Sequence, residues 1–240
     1  MSADPHQAQS FGAAAERYDT YRPSYAEEAV VWAIGSAPLR VLDLGAGTGI
    51  LSRLLRRLGH EVVAVEPDDR MRARLAEVSP GVTPLAGTAE AIPLPDAAVD
   101  AVVAGQAYHW FDPERAHPEI ARVLRPGGVF AAMWNDADLS TPWTVRYVEL
   151  IDGPGSAHQD RDLDFGPGFE PPEHGAFRHD MWLTADDLVA MATTRSPYLV
   201  ASPAGRLELV TAIRALIAEA GLTDRFAMPH LTRATRALAI

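Results

Sequence analysis

The chain has 240 residues, enough to bury a sizeable core, and carries 32 acidic against 21 basic side chains for a formal net charge of -11, a balance unsuited to neutralising nucleic-acid phosphates or anionic lipid. It contains no cysteine and no lysine, which excludes disulfides, thiolate metal sites, a cysteine nucleophile, Schiff-base and pyridoxal chemistry, and the lysine of an NTPase P-loop. No apolar run reaches the roughly 20 residues of a membrane helix, and the opening "MSADPHQAQS" has neither the basic nor the apolar region of a signal peptide, so the expected partner is a small molecule and the expected location the cytoplasm.

Residues 1–38 read as a helical cap at the amino terminus. "LRVLDL" at 39–44 is a short apolar run of the kind buried on both faces of a sheet, and it ends in the glycine cluster Gly45, Gly47 and Gly49. "TGILSRLLRRLGH" follows as an amphipathic helix stopped by Gly59, then "EVVAVE" as a second strand and "DDRMRARLAEV" as a second helix capped by Asp68 or Asp69. "VTPL" near residue 82 is a weak third strand, "VDAVVAG" from Val99 a fourth, "DPERAHPEIARVL" a helix with Pro113 in its first turn, and "GGVFAAMW" from Gly127 to Trp134 a fifth strand.

Beyond Trp134 the alternation loosens. One helix is expected near Trp143–Ile151, then a long loop, "DGPGSAHQDRDLDFGPGFEPPEHG". "AFRHDMWL" is a sixth strand, "TADDLVAMATT" and "AGRLELVTAIRALIAEAG" are helices, and "RFAMPHLTRATRALAI" is a seventh strand. Strand–helix alternation of this kind predicts an α/β, Rossmann-like, doubly wound fold: a mostly parallel seven-stranded sheet with helices on both faces and a helical and loop lid. The whole of 1–240 is taken as one domain, with the cap at 1–38, a cofactor-binding core at 39–135, and the lid, substrate-facing helices and last strands at 136–240.

In such a sheet ligands lie beyond the carboxyl ends of the strands, beside the first of them. Bare backbone at Gly45 and Gly47 lets a ligand rest on the main chain. Glu66, ending the second strand, can accept hydrogen bonds from both hydroxyls of a ribose, which implies a nucleoside. The nicotinamide fingerprint requires a glycine at position 50, where this chain has Ile50. His158, Asp160, Asp162 and Asp164, and His174 with His179 five residues apart across a loop, lack metal-loop spacing and read as a solvated lid, so no metal site is expected.

"VLDLGAGTG" resembles the first motif of the class I S-adenosylmethionine-dependent methyltransferases, and the likeness continues through "VVAVEP", "GTAEAIPLPDAAVDAVVAGQAYHWFD" and "ARVLRPGG", over roughly residues 11–135. "AAERYDTYRPSY" and "QAYHWFD" are similar to the small-molecule branch that includes trans-aconitate methyltransferase. The resemblance implies S-adenosyl-L-methionine as cofactor. Gly45, Ala46 and Gly47 would line its amino-acid half, Glu66 its ribose, Met71 the adenine face, and Thr88, Ala89 and Glu90 the adenine edge. Relatives often carry Asp where this chain has Thr88. Tyr18, Tyr21 and Arg22 would fold over the cofactor, Arg22 as a planar fork on its carboxylate, while Gln106 and Tyr108 would border the reacting methyl. His109 is the candidate general base, because it follows the fourth strand on the ligand side and has an intrinsic pKa near 6.5. The implied activity is methylation of a small molecule at oxygen, nitrogen or carbon. Two alternatives stay open at this point: a nicotinamide oxidoreductase, and a non-methylating protein that keeps the pocket.

Overall fold

A computed structural model of the chain describes residues 19–154 and 163–240. Its strands are β1 (Arg40–Leu44), β2 (Glu61–Val65), β3 (Val82–Leu85), β4 (Val99–Gly105), β5 (Leu124–Ala137), β6 (Glu173–Leu183) and β7 (Phe226–Leu238), and its helices are α1 (Glu27–Ile34), α2 (Ile50–Arg57), α3 (Asp69–Val78), α4 (Pro113–Val123), α5 (Pro142–Asp152), α6 (Ala185–Ala192), α7 (Ser196–Val200) and α8 (Pro203–Glu219). The sheet runs β3-β2-β1-β4-β5-β7-β6. The first four pairings are parallel, and β7 runs antiparallel to both β5 and β6.

The order follows from burial. β1 is apolar at Val41, Leu42 and Leu44, all fully buried, so it must be covered on both faces. Leu42 and Leu44 enter one apolar layer with Val63, Val65, Val102 and Phe130, while Val41 enters the opposite layer with Leu54, Leu55 and Ala101. Each of the Val, Leu and Phe side chains contributes about 1.5–3 kcal/mol when taken from water. A third cluster lies between α5, α6, α8 and the start of β7, built on Tyr147, Leu188, Ile213 and Phe226. No described helix is long and apolar enough to cross a membrane.

Helix boundaries have local causes. Asp68 caps α3, its carboxylate accepting from the backbone N–H of Arg70 and Met71. Thr184 and Asp187 form a reciprocal capping box at α6. Gly49 precedes α2 at φ +84°, and a Cβ there would stand 2.7 Å from Ser79 Oγ and 2.9 Å from Leu75 Cγ. Gly49→Ala is therefore expected to cost about 2–3 kcal/mol of folding stability, from left-handed strain plus overpacking against the buried Leu75. Urea denaturation would read this as a lower midpoint at unchanged slope.

Two boundaries differ from the sequence reading. β6 begins at Glu173 rather than Ala176, so His174 and His179 share one strand instead of flanking a loop. β5 extends past "GGVFAAMW" at both ends: at its start Leu124 pairs with Val99 of β4, and at its end β7 pairs with it as far as Ala137. Residues 155–162, with His158, Asp160 and Asp162, lie outside the described residues. The adjoining Phe165 and Phe169 are buried in the core with Phe130.

Candidate functional site

β1 lies between β2 and β4, so the chain leaves it in opposite directions, and a crevice opens where those connections part. A cavity of about 1120 Å³ occupies this place. Its walls come from the ends of β1, β2 and β4, the loop at 87–90, the start of α3, and the turn between α6 and α7.

The glycine loop is held by its own backbone. Gly45 and Ala46 donate to the Val65 carbonyl at 2.8 and 3.1 Å. Gly47 donates to Glu66 Oε2 at 2.7 Å, and Asp68 N–H to Glu66 Oε1 at 2.9 Å. One carboxylate thus ties the loop after β1 to the cap of α3. Each of its oxygens keeps a second lone pair for a ligand. Gly45 has φ +72°, and a Cβ there would meet Ala107 Cβ at 2.6 Å, so no larger residue fits this turn.

Asp43, on the same face of β1 as Val41, is 1 % exposed and accepts from Ser52 Oγ at 2.5 Å. Burial, and secondarily the charge of Glu66, pushes its carboxyl up to about 7. Its other oxygen, Oδ1, and the buried Thr48 hydroxyl find no partner among the described residues, although both residues line the cavity. Orphaned buried polar atoms are costly unless a ligand or water meets them. Glu66 is also raised, chiefly by burial. The cavity lining carries Asp43, Glu66, Asp68, Asp69, Glu90 and Asp152 against Arg22, Arg70 and Arg195.

Most of the expected residues meet at this cavity. Gly45, Ala46, Gly47, Glu66, Met71, Thr88, Ala89, Glu90, Gln106, His109 and Arg22 all line it. Glu90 holds the start of α4 by accepting from Asp112 N–H at 2.9 Å. Gln106 adopts φ +54° and donates through Nε2 to the Asn135 carbonyl at 2.9 Å. Arg22 donates from Nε to Thr194 Oγ1 at 3.0 Å and from a terminal nitrogen to the Thr194 carbonyl at 3.1 Å. Its fork therefore also anchors the amino-terminal segment to the end of α6. Tyr18 lies outside the described residues. Asp19 pairs with Arg53 and with Arg74, docking the segment above α2 and α3.

Two expectations fail. Tyr108 does not line the cavity: a 3-10 turn at Tyr108–Trp110 sends its ring into the core, edge-on to Phe111, Trp134 and Phe165, with its hydroxyl 2.9 Å from His117 Nε2. The same turn leaves His109 exposed at the cavity wall beside Trp110. Tyr21 packs against the third apolar cluster instead of the cavity.

The sequence reading missed Asp152, Arg195, Ser196 and Pro197 on the cavity wall, and a smaller annex of about 60 Å³ that shares Arg22, Gln106, Asp152 and Arg195 with it and reaches His230. The signal for His230 was present. Phe226, Met228, His230 and Thr232 are buried at every second position of β7, the alternation that points a strand residue inward.

Residues 42–132 match a family model described as a methyltransferase domain. An uncharacterized methyltransferase of Mycobacterium tuberculosis is 40% identical over 232 residues, 95% of each chain. The malonyl-[acyl-carrier protein] O-methyltransferase of Pectobacterium atrosepticum is 37% identical over 138 residues, 55% of this chain and 54% of that one. Among solved structures, a type II methyltransferase candidate from Anaeromyxobacter dehalogenans superposes with a TM-score of 0.59 at 26% identity, covering 92% of this chain and 98% of that one.

Proposed function

Because the chain belongs to the S-adenosylmethionine-dependent methyltransferases, we propose that it binds S-adenosyl-L-methionine in the cavity and methylates a small-molecule acceptor at oxygen, nitrogen or carbon. The observation that carries this reading is the unpartnered Asp43 Oδ1, a buried carboxylate oxygen in the wall beside bare glycine backbone. A cationic ligand is the natural counterpart of such an atom. Gly45, Ala46 and Gly47 would hold the amino-acid half, Glu66 the ribose, Met71 the adenine face, and Thr88, Ala89 and Glu90 the adenine edge. When bound, the cofactor supplies an electrophilic methyl carried on sulfur.

The chain's own residues then do the positioning, which can supply roughly 7–11 kcal/mol of a barrier. Gln106, with Tyr25 and Ile50, stands between cavity and annex. The clamp of Arg22 on Thr194 closes the amino-terminal segment across them. A cavity above the roughly 300–1,000 Å³ typical of one ligand leaves room for a second. The name of the Pectobacterium relative supports oxygen as one target atom.

Calorimetry with S-adenosylmethionine, followed by a tritiated-methyl screen of small acids, phenols and amines, tests the reading. Absence of binding would reject it. His109 is proposed as general base, so His109→Ala should slow transfer about 10²-fold while leaving cofactor affinity intact. Lost affinity with unchanged chemistry would make it a cofactor contact instead.

A further inference from the structure

The cofactor end of the cavity accounts for the glycine loop, Glu66 and Asp43, but not for the annex behind Gln106. Resting on the methyltransferase reading above, the annex can be asked what it would hold. It is walled by Tyr147, Val148 and Ile151 of α5, Met191 of α6, and Met228 and His230 of β7. A water-sized group needs roughly 10–15 Å³, so this space of about 60 Å³ takes only a few heavy atoms. The reacting group of an acceptor fits, and the remainder of the molecule would lie in the main cavity.

Several polar hydrogens around the annex are already committed. Tyr147 donates its hydroxyl to the Leu188 carbonyl at 3.1 Å. Asn135 gives its amide hydrogens to the carbonyls of Pro23 and Ser24, and takes the Thr232 hydroxyl at 2.6 Å. Gln106 donates to the Asn135 carbonyl, Arg22 to Thr194, and Arg195 pairs with Asp152.

His230 is different in kind. Its Nδ1 lies 2.9 Å from the Met228 carbonyl oxygen. A carbonyl can only accept, so the hydrogen sits on Nδ1 and Nε2 keeps a lone pair. The ring is 4 % exposed and stacked on His179, with centroids 5.6 Å apart. Burial, with the neighbouring His179 and Arg195, keeps the ring neutral against the pull of the Met228 carbonyl and Asp180. His230 lines the annex among mostly apolar side chains, and a buried acceptor in such surroundings calls for a donor.

We propose that the annex is the acceptor subsite, and that His230 Nε2 receives a hydrogen bond from an O–H or N–H group on the atom to be methylated. The substrate class is then a small hydroxyl- or amine-bearing molecule, as opposed to one offering only a carboxylate. His230 lines the annex and would touch the acceptor there, orienting the atom to be methylated.

The test uses the full chain with ¹⁵N-labelled histidine, saturated with S-adenosylhomocysteine, with phenol and benzoate as paired probes. His230 Nε2 is expected to resonate as an unprotonated ring nitrogen and to shift on phenol but not on benzoate. His230→Phe should weaken phenol binding about tenfold, the worth of one hydrogen bond, with S-adenosylhomocysteine affinity unchanged, and His230→Gln should restore part of it. A hydrogen on Nε2, or an Nε2 resonance indifferent to phenol while S-adenosylhomocysteine is bound, overturns the subsite alone. Failure of S-adenosylhomocysteine to bind overturns the methyltransferase reading instead. The wild-type spectrum decides the matter even where a variant does not fold.

Discussion

Replacing Glu66 with alanine is expected to weaken S-adenosylmethionine binding about 10²-fold, the largest loss from any single side chain at the cavity. The effect has two sources. Glu66 holds Gly47 N–H at 2.7 Å and Asp68 N–H at 2.9 Å, so truncation releases the glycine loop and the cap of α3 together. Hydrogen bonds to a charged group are worth roughly 1.5–3 kcal/mol each. The variant also lacks the acceptors for the ribose hydroxyls. Glu66→Gln separates these contributions, because its amide NH₂ must face either Gly47 N–H or Asp68 N–H, donor against donor. It should fall between wild type and alanine in calorimetry. Equal affinity for all three proteins would remove Glu66 from the site.

That residue is legible in the sequence because its position follows from the ladder: an acid closing an apolar run must stand at the carboxyl end of a buried strand. The same logic made β1, β2 and β4 legible as continuous apolar runs. Helix α7 was not, since Ser196–Val200 is too short to show a helical period and none of its residues is buried. Nor could a pattern choose between Tyr108 and His109. Successive residues of a 3-10 turn diverge by about a third of a revolution, and only the finished core decides which enters it. Arg195 and Asp152 come together from segments 43 residues apart in sequence, a pairing that periodicity does not encode.

Asp43 gives the second large expectation, with opposite signs for stability and for binding. Its folded carboxyl is raised to about 7 from an ordinary 3.8. The folded state therefore binds the proton more tightly than the unfolded chain does. Its contribution to stability is complete below pH ~4 and is lost as pH rises through about 7, a swing on the order of 4 kcal/mol. Asp43→Asn removes the ionisation while leaving Ser52 an oxygen to donate to. The ligand-free variant should be more stable than wild type at pH 8, seen as a higher urea midpoint, and equal to it near pH 4. For a cationic ligand the preference reverses, because the ionised carboxylate is the partner that binding favours. Between pH 6 and 7 S-adenosylmethionine should displace a proton from Asp43, its affinity rising with pH and levelling above about 7. Calorimetry in buffers of different ionisation enthalpy would count that proton, and the Asp43→Asn protein should release none and bind more weakly. A charge that is costly to bury in the empty protein is then retained for the ligand it meets, and strain of this kind is removable only at the expense of function. Proton release that is identical in wild type and variant would place the titrating group elsewhere.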